Sequence, residues 1–257
     1  MTGAGTESFE SLTAWPNVLG SPSMADAERL PLFCGVPPAL TRSLLETSSR
    51  QQYPAGTLIV EQGERAPALH IIRRGIVDLT HLSGKSECGV LLLSSRDLLL
   101  PATTLFQEPA LVSARALTNV KVLTIDGGDI ERAIAQSASL SLNLMKAMSG
   151  QWRMAVRSIL DLNCRTAAQR VGAFLLRLAD LQCDAPEPIL PIAKRHLAVR
   201  LGMSPETLSR MLQTVASHGL LLRGRSIVVR DRAAIEEFCG PDPYPIKDER
   251  SLSVFAL

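Results

Sequence analysis

Four polar side chains in the stretch MSPETLSRMLQTVASHG (203–219) stand where they could act together. Glu206, Ser209, Arg210 and Gln213 recur at i, i+3, i+4 and i+7, the spacing of one helical face. A guanidinium held there can donate two hydrogen bonds to guanine O6 and N7. A carboxylate can accept from a cytosine amine, and a hydroxyl can bond a base edge or a phosphate. Each good base contact of this kind is worth about 1–3 kcal/mol of discrimination against the wrong base. The spacing therefore predicts base reading by Glu206, Ser209 and Arg210.

The surrounding residues supply a frame for that face. Ser204 suits an N-cap and Pro205 the first helical turn, so a helix is predicted over 205–217. Leu208, Leu212 and Val215 fall on its other side and can pack on a short preceding helix, Ala193 to Leu201. Gly202-Met203-Ser204 is the turn between them. The run LLLRGRSIVVRD (220–231) then reads as two strands around Gly224. Two helices, a short turn and a β-hairpin outline a winged helix-turn-helix. Lys194, Arg195, Arg200, Ser204, Thr207, Gln213, Arg223 and Arg225 are the expected phosphate and positioning contacts, which set register and affinity.

Charge distribution agrees. Residues 164–230 hold 10 Lys and Arg against 4 Asp and Glu, whereas 1–163 hold 14 against 15 and 231–257 hold 3 against 6. A basic excess confined to one segment suits a polyanionic partner such as double-stranded DNA.

Elements upstream must position this segment. After a soft tail over 1–27, residues 28–53 look helical in pieces, broken by Pro37 and Pro38. From Pro54 to Asp126 the chain reads as short strands punctuated by turns, with Gly56, Gly63 and Gly75 at tight ones. This predicts a small all-β barrel or roll. From about Ile130 to Leu162 the pattern is helical. Met145, Met148, Trp152, Ala155, Ile159 and Leu162 follow spacings of 3 and 4, which predicts a self-association seam or, alternatively, a helix lying on its own domain. A second helix spans 163–182. The expected class is α+β: a double-stranded, jelly-roll-like sensor domain (28–129), a dimerisation helix (130–163), a winged helix-turn-helix (164–240) and a loose tail (241–257).

Other chemistries find little footing. The five cysteines, at 34, 88, 164, 183 and 239, form no CxxC pair, which argues against a disulfide framework, a zinc site or an iron–sulfur cluster. Cys183 is a candidate redox-sensitive thiol. HExxH, GxSxG and P-loop patterns are missing, and the histidines at 70, 81, 196 and 218 have no metal spacing, so an enzyme is not expected. His196 and His218 fall in the winged motif, at phosphate or solvent positions. With no run of 18 apolar residues and no signal-peptide pattern at the start, a cytoplasmic protein without a membrane span is expected.

Residues 28–240 resemble the CRP/FNR family of bacterial transcription regulators. The resemblance rests on AGTLIVEQGERAPALHIIRRGIVDL, the long linking helix and LAVRLGMSPETLSRMLQTVASHGLL. The E-x-x-S-R order of Glu206, Ser209 and Arg210 matches the FNR branch. It implies a homodimer on a palindrome with TTGAT-like half-sites, in contact with RNA polymerase if it activates. The sensor segment departs from the family's cyclic-nucleotide pattern. Leu100 and Pro101 stand where Gly-Glu would bind ribose, and Ala110 and Leu111 where Arg-Ser would take the phosphate. Cyclic AMP is therefore not expected. The segment is similar to a subgroup that includes regulators of ferrous-iron transport, for which haem is the suspected ligand. A short PDP segment at 241–243 is part of that similarity. The apolar pocket at Leu100, Pro101, Ala110 and Leu111 could hold haem, another hydrophobic effector, or nothing. Candidate axial ligands are His70, His81, Cys88, Met145 and Met148, each with an ordinary packing or hairpin role as its alternative. A further alternative is constitutive DNA binding on an effector-free roll.

Overall fold

The computed structural model describes residues 17–18, 22–84, 86–182 and 187–240. Cys183, the PDP segment and the expected C-terminal tail lie outside the described residues. The chain opens with strand β1 (Asn17–Val18), helix α1 (Met24–Glu28), a 3-10 turn (Pro31–Phe33) and helix α2 (Pro38–Glu46). The soft tail expected through residue 27 is thus corrected. Asn17 and Val18 pair with Gln52 and Gln51, and Ala27 is buried against the core, where its methyl group gains more than solvent offers.

Next come β2 (Ser49–Tyr53), β3 (Leu58–Val60), β4 (Ala68–Arg74), β5 (Val77–Ser83), β6 (Ser86–Leu93), β7 (Leu98–Leu99), helix α3 (Pro101–Phe106), β8 (Ser113–Ala116) and β9 (Val120–Asp126). They form two antiparallel sheets, ordered β1-β2-β9-β4-β7 and β3-β8-β5-β6. The long run ALHIIRRGIVDLTHL divides at Gly75, whose φ is +98°. A Cβ there would lie 2.6 Å from the Asn119 carbonyl oxygen, so the turn into β5 needs a glycine.

Strand alternation sorts side chains into separate cores. Ile72, Leu99, Val120 and Val122 of one sheet meet Val77, Leu79, Leu93 and Ala114 of the other inside the roll. The outer face of the first sheet, with Leu69, Ile71 and Leu123, packs under helices carrying Leu44, Ile130, Leu140 and Leu144.

The expected single helical stretch from 130 is two helices, α4 (Gly127–Gln136) and α5 (Ala138–Cys164). Ser137 breaks it: the residue is extended and its hydroxyl accepts from the Leu140 N–H, capping α5. Helix α6 (Ala167–Leu181) starts at a Thr166/Gln169 capping box. The C-terminal unit continues with α7 (Lys194–Arg200), α8 (Pro205–Ser217), the hairpin β10 (Leu220–Arg223) and β11 (Ser226–Val229), and α9 (Arg232–Cys239). Leu175, Leu178, Leu197, Leu208, Val215 and Ile235 form its core. Ile76 and Leu92 of the roll join that core, so the winged unit sits directly on the roll. No described helix is long and apolar enough to cross a membrane.

Candidate nucleic-acid interface

Helix α8 runs over the residues its caps dictate. The Ser204 hydroxyl accepts from the Thr207 N–H at 3.2 Å, and Pro205 occupies the first turn. Leu208 and Val215 are buried, holding one face against α6 and α7. The opposite face carries Glu206, Ser209, Arg210 and Gln213, all exposed. Arg210 rests Nη2 on the Thr207 hydroxyl at 3.3 Å, and Ser209 donates to the Pro205 carbonyl at 3.1 Å. These are weak local bonds that a base edge could replace. The Glu206 carboxyl is held below its usual range, chiefly by its own backbone N–H and the Ser204 hydroxyl at the helix start, with Arg210 adding to this. It therefore stands as an acceptor.

Lys194 and Arg195 are exposed at the start of α7, and Arg223 and Arg225 are exposed on the hairpin, flanking its Gly224 turn. Arg225 also donates Nε to the Leu190 carbonyl at 2.8 Å, tying the hairpin to the preceding segment. Arg200 departs from its expected phosphate role. It is half-buried between α7, α5 and the roll, donating to the Val90 carbonyl and, at 2.9 Å, to the Ser158 hydroxyl. Burial lowers its pKa to about 10. A residue at that position faces the roll because α7 turns its Leu197 and Ala198 side into the winged core. The two histidines also leave the expected phosphate or solvent positions. His218 stacks on Phe238 with ring centroids 3.8 Å apart and bonds the Thr214 carbonyl, while His196 faces Asp78 across 3.9 Å.

The docked surface was not foreseen. Asp78 lies on the outer face of β5, 3% exposed, with Oδ1 lacking any hydrogen-bond partner. Burial raises its carboxyl pKa to about 6 despite Arg200 nearby. Gly89 meets Arg200 backbone to backbone: a Cβ there would lie 2.7 Å from the Arg200 Cα. A lone carboxylate inside the apolar run IVDLTHL was the one sequence signal for this junction.

In the sensor segment, Pro101 and Ala110 are buried, but Leu111 is 82% exposed and turns away from any interior pocket. Its place in the expected effector pocket is thereby corrected, because Ala110, not Leu111, points into the roll core. Leu100 has a left-handed backbone, φ 46°, that starts α3. The candidate haem ligands lie in different surroundings. His70 is half-buried, bonded through Nδ1 to the Thr124 hydroxyl at 2.9 Å, and desolvation of its ring pushes its pKa down to about 4. His81 bonds the Leu111 carbonyl and pairs across the ladder with exposed Cys88. Met145 is exposed on α5 and Met148 packs toward the helical core. Among the described residues no group of three His, Cys, Asp or Glu could hold a metal ion.

The seam of α5 divides. Met145, Trp152 and Ile159, seven residues apart, are 58%, 68% and 53% exposed, joined by Leu142, which the sequence reading missed. Met148 and Ala155, expected in the seam, lie on its flank and pack against their own domain. Leu162, also exposed, touches the position of Gly202.

A roll joined by a long helix to a basic winged helix-turn-helix defines a class, the bacterial regulators that bind DNA through such a unit. The match to known proteins is specific. Residues 50–137 match the description "Cyclic nucleotide-binding domain" and residues 169–238 "Crp-like helix-turn-helix domain". The chain is 30% identical over 210 residues to the cyclic AMP receptor protein of Thermus thermophilus, covering 80% of this chain and 95% of that one. A putative cAMP-binding regulatory protein from Silicibacter pomeroyi is 28% identical with a TM-score of 0.53, over 84% of this chain and 97% of that one. FixK2 from Bradyrhizobium japonicum shares the fold with a TM-score of 0.66 at 23% identity, over 74% and 96%. This chain belongs to the CRP/FNR family and is a DNA-binding transcription regulator of that type.

Proposed function

We infer that the protein is a homodimeric regulator that reads a palindromic, TTGAT-like site through Glu206, Ser209 and Arg210. One observation carries this reading: those side chains project together from a capped helix whose other face is buried. The exposed heptad of Met145, Trp152 and Ile159 supports pairing of two chains along α5. Pairing presents two recognition helices to half-sites about one DNA turn apart. Contact with RNA polymerase belongs to this reading for an activator.

The effector of the roll is not a cyclic nucleotide. Leu100, Pro101 and Ala110 offer no carboxylate for a ribose and no cation for a phosphate, Leu111 turns outward, and an unpaired phosphate buried there would cost several kcal/mol. On this reading the chain differs in ligand from the relative named as a cyclic AMP receptor protein. Haem is the first effector to try, although the scattered surroundings of its candidate ligands give it no support. An absorbance spectrum with and without added haem decides it.

Arg210→Ala tests the base-reading role. Loss of its guanine contact is expected to lower affinity for the palindrome by about tenfold to a hundredfold, matching about 1–3 kcal/mol. Non-specific binding and the oligomeric state stay unchanged. Undiminished affinity for the palindrome in that variant would show that α8 reads DNA by other residues.

A further inference from the structure

Thr207 lies between Glu206 and Arg210 in α8 and, unlike both of these exposed readers, is half-buried. Its hydroxyl, expected on a DNA phosphate, is engaged within the helix instead. Oγ1 accepts from Arg210 Nη2 at 3.3 Å and from the Ser204 hydroxyl at 3.2 Å. Ser204 is fixed in turn, because its Oγ accepts from the Thr207 N–H at 3.2 Å as the helix cap. Thr207 therefore ties the tip of Arg210 to the capped start of α8. Helical side chains lean toward the N-terminus, over the preceding turn, and the Arg210–Thr207 contact follows that direction.

Arg210 has a competing partner. Glu206 stands four residues before it, the spacing and order at which a carboxylate and a cation attract each other best along a helix. Closing that pair would turn the two readers on each other and leave neither for a base. Yet the Glu206 carboxyl is lowered first by its backbone N–H, next by the Ser204 hydroxyl, and least by Arg210. The guanidinium rests on Thr207 instead. We propose that Thr207 is a positioning residue for base reading: its hydroxyl holds Arg210 off Glu206, so that both readers reach the DNA unpaired. The bond is weak enough to be exchanged for a base edge, so it orders the guanidinium without withholding it. An arginine loses much conformational freedom when immobilised, and ordering it beforehand removes part of that cost from binding. This role rests on the base-reading function proposed for Arg210.

Fluorescence anisotropy of labelled duplexes with the full chain, at one fixed salt concentration, tests the role. One duplex is the palindrome, another has the G·C pair of each half-site changed to A·T, and the last is scrambled. The affinity ratio of palindrome to changed site reads base discrimination, while the scrambled duplex reads backbone contact. Thr207→Val keeps the side-chain size and removes the hydroxyl. It is expected to lower discrimination about threefold to tenfold, the cost of ordering one long side chain, with the scrambled duplex bound as before. Thr207→Ala, a second hydroxyl-free variant, should do the same and guards against misfolding of the first. Thr207→Ser returns the hydroxyl and should restore discrimination. In an Arg210→Ala background, Thr207→Val should add no further loss, because residues that act as a unit are not additive. Equal weakening on every duplex would make Thr207 a phosphate contact and overturn the proposal. So would further loss of discrimination in the Arg210→Ala background, or a serine variant no better than valine. If Arg210→Ala lowers discrimination and the hydroxyl-free variants do not, the positioning role alone is refuted. If Arg210→Ala itself leaves discrimination intact, base reading by Arg210 fails and the role of Thr207 falls with it.

Discussion

Within the strand run IVDLTHL (76–82), Asp78 is the only charged side chain, and it faces the winged unit instead of water. Burial moves its carboxyl from an ordinary 3.8 to about 6. Arg200 and Arg115 pull it back down, and Glu87 pushes it further up. A folded-state pKa raised for an acid means that the native protein holds the proton more tightly than the unfolded chain. Stability is therefore greatest below about pH 4 as far as this group is concerned. It falls as pH rises through about 6, by up to about 3 kcal/mol for a shift of this size. His196 acts oppositely. Burial and Arg195 lower its pKa, so its contribution is present above 6.5 and is lost as pH falls. Comparing wild type with Asp78→Asn by denaturant unfolding at several pH values isolates the carboxyl. The variant should gain on the wild type steadily between about pH 4 and 6, with a constant difference above. Parallel stability curves across that range would mean that Asp78 is solvated and the junction open.

At the scale of elements, what could be read in advance was what local chemistry decides. Ser204, Pro205 and the apolar spacing of Leu208, Leu212 and Val215 are all within α8 itself, and the helix occupies 205–217 as that pattern requires. The strand β2 was missed because SRQQY has no apolar alternation. It is extended only because β9 lies alongside, with Gln51 opposite Val122. The same holds for α5. Periodicity found an apolar helix but could not divide the stripe between its own roll and a partner, because Met148 and Ala155 lie only a small rotation from Trp152. The exposed part is the narrower heptad through Met145, Trp152 and Ile159. Trp152→Glu places a charge in the middle of that stripe and is expected to give monomers at micromolar concentration in sedimentation, with the fold retained. A dimer surviving this change would place self-association elsewhere on the molecule.

At the scale of the whole molecule, three cores are joined so that the winged unit leans on the outer face of the second sheet through Ile76 and Leu92. Nothing periodic in the sequence announces such a contact, since it joins residues more than a hundred positions apart. Its tightest point is Gly89. A side chain there would meet the Arg200 Cα at 2.7 Å and the Arg200 N at 3.1 Å, backbone atoms that cannot swing aside. Gly89→Val thus sets two outcomes in competition. Holding the parts together against the added methyl groups costs about 1–3 kcal/mol, the usual range for overpacking. Letting them separate instead exposes Ile76, Leu92 and the Arg200 stem, while both cores keep most of their own contacts. Separation has the further advantage of rehydrating Asp78 and Arg200, whose desolvation the present arrangement imposes. The variant should therefore keep its helix and strand content by circular dichroism while its radius of gyration in small-angle scattering increases. An unchanged radius, with stability lower by the overpacking cost, would show that the junction is rigid and that the winged unit does not move as a body on the roll.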